Sequence, residues 1–196
     1  TVLSDSGAEV IKIEPLTGDP YRTPAQPPVD ARSAVNPNWL MDSRNKKSLA
    51  INLASDAGRA ILYRLTQDAD VFITNFPPNV RKRLKLAYED ISALNPRLIY
   101  ASFTGYGESG PDANKPGFDA TVWWARSGMM DLVRTADAPP VRSPPGMGDH
   151  PSAMGFYSAI VTALYRREKT GKGAHVGSSL LANGLWANSC SVQSTL

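Results

Sequence analysis

Apolar positions in this chain fall into two rhythms that take turns, short β-branched runs and longer helical periods, and their alternation predicts the architecture. TVLSDSG reads as a helix end with Gly7 as its C-cap, and AEVIKIE follows as a strand. From Pro15 to Pro37 six prolines interrupt any period, so a loop is expected. NKKSLAINL is the next strand, and SDAGRAILYRLTQD a helix capped by Ser55. ADVFITNF and RLIYASFTG are further strands, separated by the short helical pieces VRKRLKL and YEDISALN. FDATVWWARSGMMDL reads as one helix, in which the adjacent Trp123 and Trp124 point in different directions as core anchors. AHVGSSLLANGLWANSCSVQ reads as a strand running into a helix.

Strands alternating with helices at this spacing predict an α/β fold, a Rossmann-like parallel sheet with helices on both faces. Ligands on such sheets bind at the carboxyl ends of the strands, here Leu53-Ala54-Ser55, Asn75-Phe76 and Thr104-Gly105. The first two ends lead into helices whose N-termini suit phosphate. A helix end before the first strand, and no stop signal at Leu196, suggest a fold cut at both ends.

Composition narrows the class. At 196 residues, 42% hydrophobic and 20% charged, the chain matches one globular domain. No apolar run is long enough to cross a bilayer and no signal-peptide pattern opens the sequence, so a soluble, cytoplasmic protein without a membrane partner is expected. The single Cys190 cannot form an internal disulfide and is expected to be buried; with only His150 and His175 it builds no metal site. A net charge of +3 suits an anionic ligand but is too mild for a nucleic-acid partner. The clusters Arg81-Lys82-Arg83-Lys85 and Arg166-Arg167-Lys169-Lys172 read mostly as solvated helix faces.

The chemistry concentrates between Ser143 and Gly173. Pro144, Pro145, Gly146 and Gly148 keep the chain irregular up to Asp149, where a long helical pattern starts. A carboxylate there is favoured in its ionised form by the helix dipole, which makes it a candidate nucleophile. Aspartate ahead of Pro151 is also an ordinary cap arrangement, and the local pattern alone leaves both readings open. Gly105 to Gly110, GYGESG, has dinucleotide-fingerprint spacing, but Pro111 and Pro116 prevent the helix such a site needs. KTGKG lacks the Ser or Thr and the upstream Gly of a phosphate loop.

Seven segments in order, GAEVIKIEP with GDP-x-R, NKKSLAINL, ADVFITNF-x-P-x-V, NPRLIYASFTGYGESGP, GFD, GD and REKTGKG, resemble the family III coenzyme A transferases of the CaiB/BaiF type. The resemblance covers nearly the whole chain. It implies a CoA-binding Rossmann-like domain over residues 1–196, with a first strand and a smaller second domain outside it, in an interlocked homodimer. Asp149 matches the catalytic aspartate. Arg22, Leu53, Ala54, Asn75, Phe76 and Arg83 match CoA contacts, Lys115 neighbours another, and Phe118 and Asp119 fall at acyl-pocket positions. One departure is that a contact lysine of the family is replaced near Ser55 and Asp56, leaving Arg22 or Arg83 to hold phosphate.

The implied reaction exchanges CoA between an acyl-CoA and a small carboxylic acid through aspartyl anhydride and aspartyl-CoA thioester intermediates, with CoA as substrate and no prosthetic group. Main-chain N–H groups at the Asp149 turn are candidates to stabilise its oxyanions. Two alternatives stand beside it. α-Methylacyl-CoA racemases share the fold but use a histidine where this chain has Phe118, and a non-catalytic CoA-binding fragment would need no nucleophile.

Overall fold

The predicted alternation becomes two sets of parallel strands in the computed structural model, which describes residues 1–24 and 32–196. They lie in two units, Thr1–Leu62 and Tyr63–Leu196. The first holds α1 (Val2–Asp5), β1 (Val10–Glu14), a 3-10 turn (Pro20–Arg22), α2 (Pro37–Ser43), β2 (Lys46–Ala50) and the start of α3 (Asp56–Asp68). β1 and β2 pair in parallel, Val10 against Lys46 and Glu14 against Ala50. The loop expected from Pro15 to Pro37 contains the 3-10 turn, and its residues 25–31 lie outside the described residues.

Sequence periodicity leaves α2 unassigned, yet its start carries a local signal. Asn36 accepts a hydrogen bond from the Asn38 N–H through its side chain at 3.0 Å, and Pro37 occupies the first turn. There a missing N–H costs nothing. Ser55 performs the cap expected of it for α3, accepting the Gly58 N–H at 3.1 Å.

The second unit continues with β3 (Val71–Thr74), α4 (Pro78–Leu84), α5 (Tyr88–Ser92), β4 (Ile99–Thr104), a π-helix (Asp119–Arg126) and α6 (Met129–Leu132). It closes with α7 (Asp149–Thr170), β5 (Ala174–Ser179), α8 (Leu180–Ala187) and α9 (Ser189–Ser194). The sheet order is β3-β4-β5, all parallel. β4 is central, and Ile99, Tyr100, Ala101 and Ser102 are all 0% exposed; the buried Ser102 hydroxyl is satisfied by His175 Nε2 at 2.9 Å.

Several expectations change. The helix expected from Phe118 to Leu132 is a π-helix that stops before Gly128, whose φ of +91° breaks the chain's course ahead of α6. Trp123 and Trp124 are core anchors, both 5% exposed, with ring centroids 6.3 Å and ring planes 11° apart. Val122, Trp123 and Trp124 are buried in succession, more of the circumference than an amphipathic α-helix covers, and pack with Leu180. The last helix breaks at Asn188, whose side chain donates to the Ser127 carbonyl at 3.0 Å. Cys190, expected to be buried, is exposed on the short helix that follows, which buries none of its residues. Arg81 is 3% exposed rather than solvated.

That arginine sits in a polar knot beside β4. It donates to the Tyr100 hydroxyl (3.3 Å) and to Glu108 (2.5 Å), while Tyr100 donates to the Leu86 carbonyl at 2.7 Å. Burial pushes the Tyr100 phenol up, so it stays a donor. Burial would also raise Glu108, but the Ser102 hydrogen bond and the Arg81 guanidinium outweigh it and hold the carboxyl below its ordinary value. Among the described residues no helix is long and apolar enough to cross a membrane.

Replacing Tyr100 by phenylalanine keeps the ring but leaves the Leu86 carbonyl and an Arg81 N–H without their partner. Loss of about 1–3 kcal/mol in urea unfolding is expected, the cost of a buried polar group left unsatisfied; an unchanged midpoint would show that the knot contributes nothing to stability.

Candidate active site

The turn that opens α7 is built by steric exclusion. Gly146 adopts φ +78°, a region that favours glycine, with the His150 ring lying over it. Gly148 is buried, and a Cβ there would fall 2.3 Å from Trp123 Cγ and 2.5 Å from an Asp119 carboxylate oxygen. Only glycine fits between the π-helix and the start of α7.

Through that gap the Asp119 carboxylate meets the backbone. The Gly148 N–H donates to both of its oxygens at 3.0 Å, and the Asp149 N–H reaches Oδ2 at 3.4 Å. The N-cap position belongs to Gly148 and Asp149 is the first helical residue, so the cap reading of Asp149 does not hold. Capping comes instead from Asp119, far upstream in sequence and 9% exposed. Asp149 itself is exposed.

The remaining amides of the turn are also engaged. His150 N–H donates to Gly146 O at 3.0 Å, Pro151 has none, and Ser152 N–H donates to Gly148 O at 3.1 Å. The expected oxyanion donors at this turn are thus turned inward onto Asp119 and the turn's own carbonyls. Phe118 precedes Asp119 and is 71% exposed, its N–H held by the Thr121 hydroxyl at 3.1 Å.

Other residues expected to meet CoA sit on a strand end, a helix and a turn of the same unit. Asn75 and Phe76 are exposed directly after β3, with the Phe76 N–H on the Thr74 hydroxyl at 3.3 Å. Arg83 is exposed on α4. Lys115 pairs with Asp112 at 2.6 Å, and that hydrogen bond holds Asp112 below its ordinary value. Gly105 to Gly110 opens no helix; Gly107 N–H folds back onto the Thr104 hydroxyl at 2.9 Å.

In the first unit, Arg22 is held in a plane. Its Nε and one Nη donate to the two oxygens of Glu14, each at 2.7 Å, and its guanidinium lies 4.1 Å from the centre of the Trp39 ring. The Arg22 hydrogen bonds first, then the Ser48 hydroxyl, lower Glu14 from 4.5 to about 2 against the opposing effect of burial. Leu53 and Ala54 form the turn before α3, where Arg59 donates to both carbonyls at 3.2 and 2.9 Å. Arg59, Trp39 and Glu14 escaped sequence reasoning; the reach of an arginine in the first turn of α3 to the carbonyls five and six residues before it was the available signal for the first.

The profile of CoA-transferase family III matches residues 1–196. The chain is 36% identical over 193 residues to the cinnamoyl-CoA:phenyllactate CoA-transferase of Clostridium sporogenes, covering 97% of this chain and 46% of that protein. It is 41% identical over 182 residues to the acetyl-CoA:oxalate CoA-transferase of Acetobacter aceti, 92% of this chain and 46% of that one. Among solved structures, a hypothetical protein of Mycobacterium tuberculosis superposes with a TM-score of 0.89 at 31% identity, over 100% of this chain and 53% of that one. A CAIB/BAIF family protein of Brucella suis gives 0.83 at 34% identity, over 93% and 48%. The chain spans about half the length of the curated relatives it matches.

The Glu14 carboxyl yields a pH prediction. Its folded value lies below its unfolded one, so its stabilisation is present above about 4.5 and is lost as pH falls toward about 2. The wild-type unfolding midpoint should therefore fall across that window with a steeper slope than that of Glu14→Gln; parallel slopes in acid titrations of both proteins would contradict the Arg22–Glu14 pairing.

Proposed function

This chain belongs to CoA-transferase family III, and from that premise we propose that the protein moves coenzyme A from a donor acyl-CoA to an acceptor carboxylic acid, with Asp149 as nucleophile. The observation that carries this reading is the exposed Asp149 side chain on a turn whose backbone is anchored from beneath. A carboxylate so placed is open to a substrate carbonyl while its own main chain cannot yield.

In the reaction we propose, an Asp149 oxygen attacks the thioester carbonyl, the C–S bond breaks, and CoA leaves as thiolate while the acyl group stays on Asp149 as a mixed anhydride. The thiolate attacks the aspartyl carbonyl; the anhydride C–O bond breaks, releasing the first acid and leaving an aspartyl-CoA thioester. The acceptor carboxylate attacks that thioester and expels the thiolate again. Attack of the thiolate on the acceptor's acyl carbon then forms the new acyl-CoA and restores the Asp149 carboxylate. Activated acyl groups pass only between carboxylate and thiolate, so no net proton or electron is consumed.

Within Tyr63–Leu196 we propose CoA phosphate contacts at Arg83 and Lys115, with Asn75 and Phe76 along the cofactor's arm; within Thr1–Leu62 we propose, separately, the remaining Nη of Arg22 as a phosphate donor and Leu53 and Ala54 as contacts. Guanidinium donors suit phosphate, and exposed residues at parallel-strand ends are where such ligands rest. Phe118, apolar and exposed beside Asp119, is suited to the acyl side. It offers no proton to a carbon acid, which favours transfer over racemisation.

The scheme carries its own isotope test. With acceptor acid labelled by ¹⁸O in the carboxylate, the bridging oxygen stays on the enzyme when the new acyl-CoA leaves, so the peptide bearing Asp149 gains label. Mass spectrometry after turnover should find it there, and Asp149→Ala should lose transfer by at least about 10³-fold, as expected when a covalent nucleophile is removed. Unlabelled Asp149 after many turnovers, or an active alanine variant, would refute the assignment.

A further inference from the structure

We propose that Asp119 is a positioning residue for the nucleophile, fixing Asp149 by capping the helix that carries it; this rests on the reading of Asp149 given above. A carboxylate that is only 9% exposed loses much of its hydration, a cost that persists only where the protein supplies compensating donors. Here the donors are the Gly148 N–H, shared by both oxygens at 3.0 Å, and the Asp149 N–H at 3.4 Å. The positive end of a 22-residue helix stands directly behind them. The charge is therefore directed onto the two backbone amides that bracket the Cα of Gly148, the second of them being the nucleophile's own N–H.

A neutral amide does not substitute. Asparagine offers one acceptor oxygen where three contacts converge on two, and its NH2 would face a backbone N–H donor to donor. Trp123 closes the other side, since no atom beyond hydrogen fits on Gly148 Cα. Gly148, the residue before Asp149, is held between a buried anion and an aromatic wall, both carried by the same π-helix. π-Helical turns often mark functional sites, and this one delivers Asp119 and Trp123 to the same turn. Because the inward amides serve Asp119, oxyanion stabilisation in the transfer reaction falls to donors other than the Gly148 and Asp149 N–H groups.

The test uses the intact protein and Asp119→Asn. Expected are a fall in kcat of about 10²-fold, as a displaced reacting group produces, with KM for acyl-CoA and CoA affinity within about 3-fold. Hydrogen exchange at the Gly148 and Asp149 amides should speed up by about 10-fold or more in the variant. A kcat near the wild-type value, or a kcat loss matched by equal losses in CoA affinity and melting temperature, would overturn the proposal. Exchange on the wild-type protein needs no variant to fold: if those two amides exchange there as fast as in an unstructured peptide, Asp119 does not hold them. Asp149→Ala separates the two claims, because transfer surviving that substitution removes the nucleophile while leaving the exchange result on Asp119 to stand or fall alone.

Discussion

A buried carboxylate facing the opening of a long helix organises the turn that leads into it. Ion burial is costly, and an aspartate in this position persists because the helix end offers unpaired N–H groups and a favourable dipole together. The converse also holds: α7 opens without a side-chain cap of its own, since Gly148 has no side chain to give. Each element supplies what the other lacks. From that exchange come the glycine between them, the tryptophan ring packed on it, and the outward-facing Asp149.

Much of the fold was legible in the sequence, for identifiable reasons. β4 reads as a strand because Ile99, Tyr100, Phe103 and Thr104 are β-branched or aromatic, and α7 because two prolines and two glycines clear the chain before it. Family segments in order pointed to Asp149 as well. The features that escaped were nonlocal. Nothing in FDATVWWAR announces a π-helix, since the extra residue per turn is accommodated by packing of Val122, Trp123 and Trp124 on the core rather than by any local preference. Nor does any window of text join Asp119 to Gly148. Counting amides at the turn requires both elements at once, which is why the expected oxyanion donors proved to be facing inward.

Charged residues show the same division. Arg81, Lys82 and Arg83 are neighbours in one basic run, yet the first is sealed against Tyr100 and Glu108 while the third is exposed. Composition sees three equal cations. Helical geometry turns successive side chains by about 100°, so one faces the sheet and another faces solvent. In the first unit Arg22 is neutralised by Glu14 and flattened on Trp39 before any ligand arrives. Such an arginine loses little further freedom on binding, which favours it over a loose lysine where a planar contact is required.

The π-helix also sets a rotational phase between its two ends. Its characteristic bond, Ser127 N–H to Val122 O at 3.2 Å, closes over one residue more than an α-turn does. With the π-turn kept, deleting a single residue between Asp119 and Trp123 would swing the one by roughly a quarter of a turn relative to the other. Asp119 and the Trp123 wall would then face different directions. Insertions and deletions, usually absorbed by loops, are here as consequential as the loss of a functional side chain, so the length of this eight-residue stretch is itself a chemical requirement.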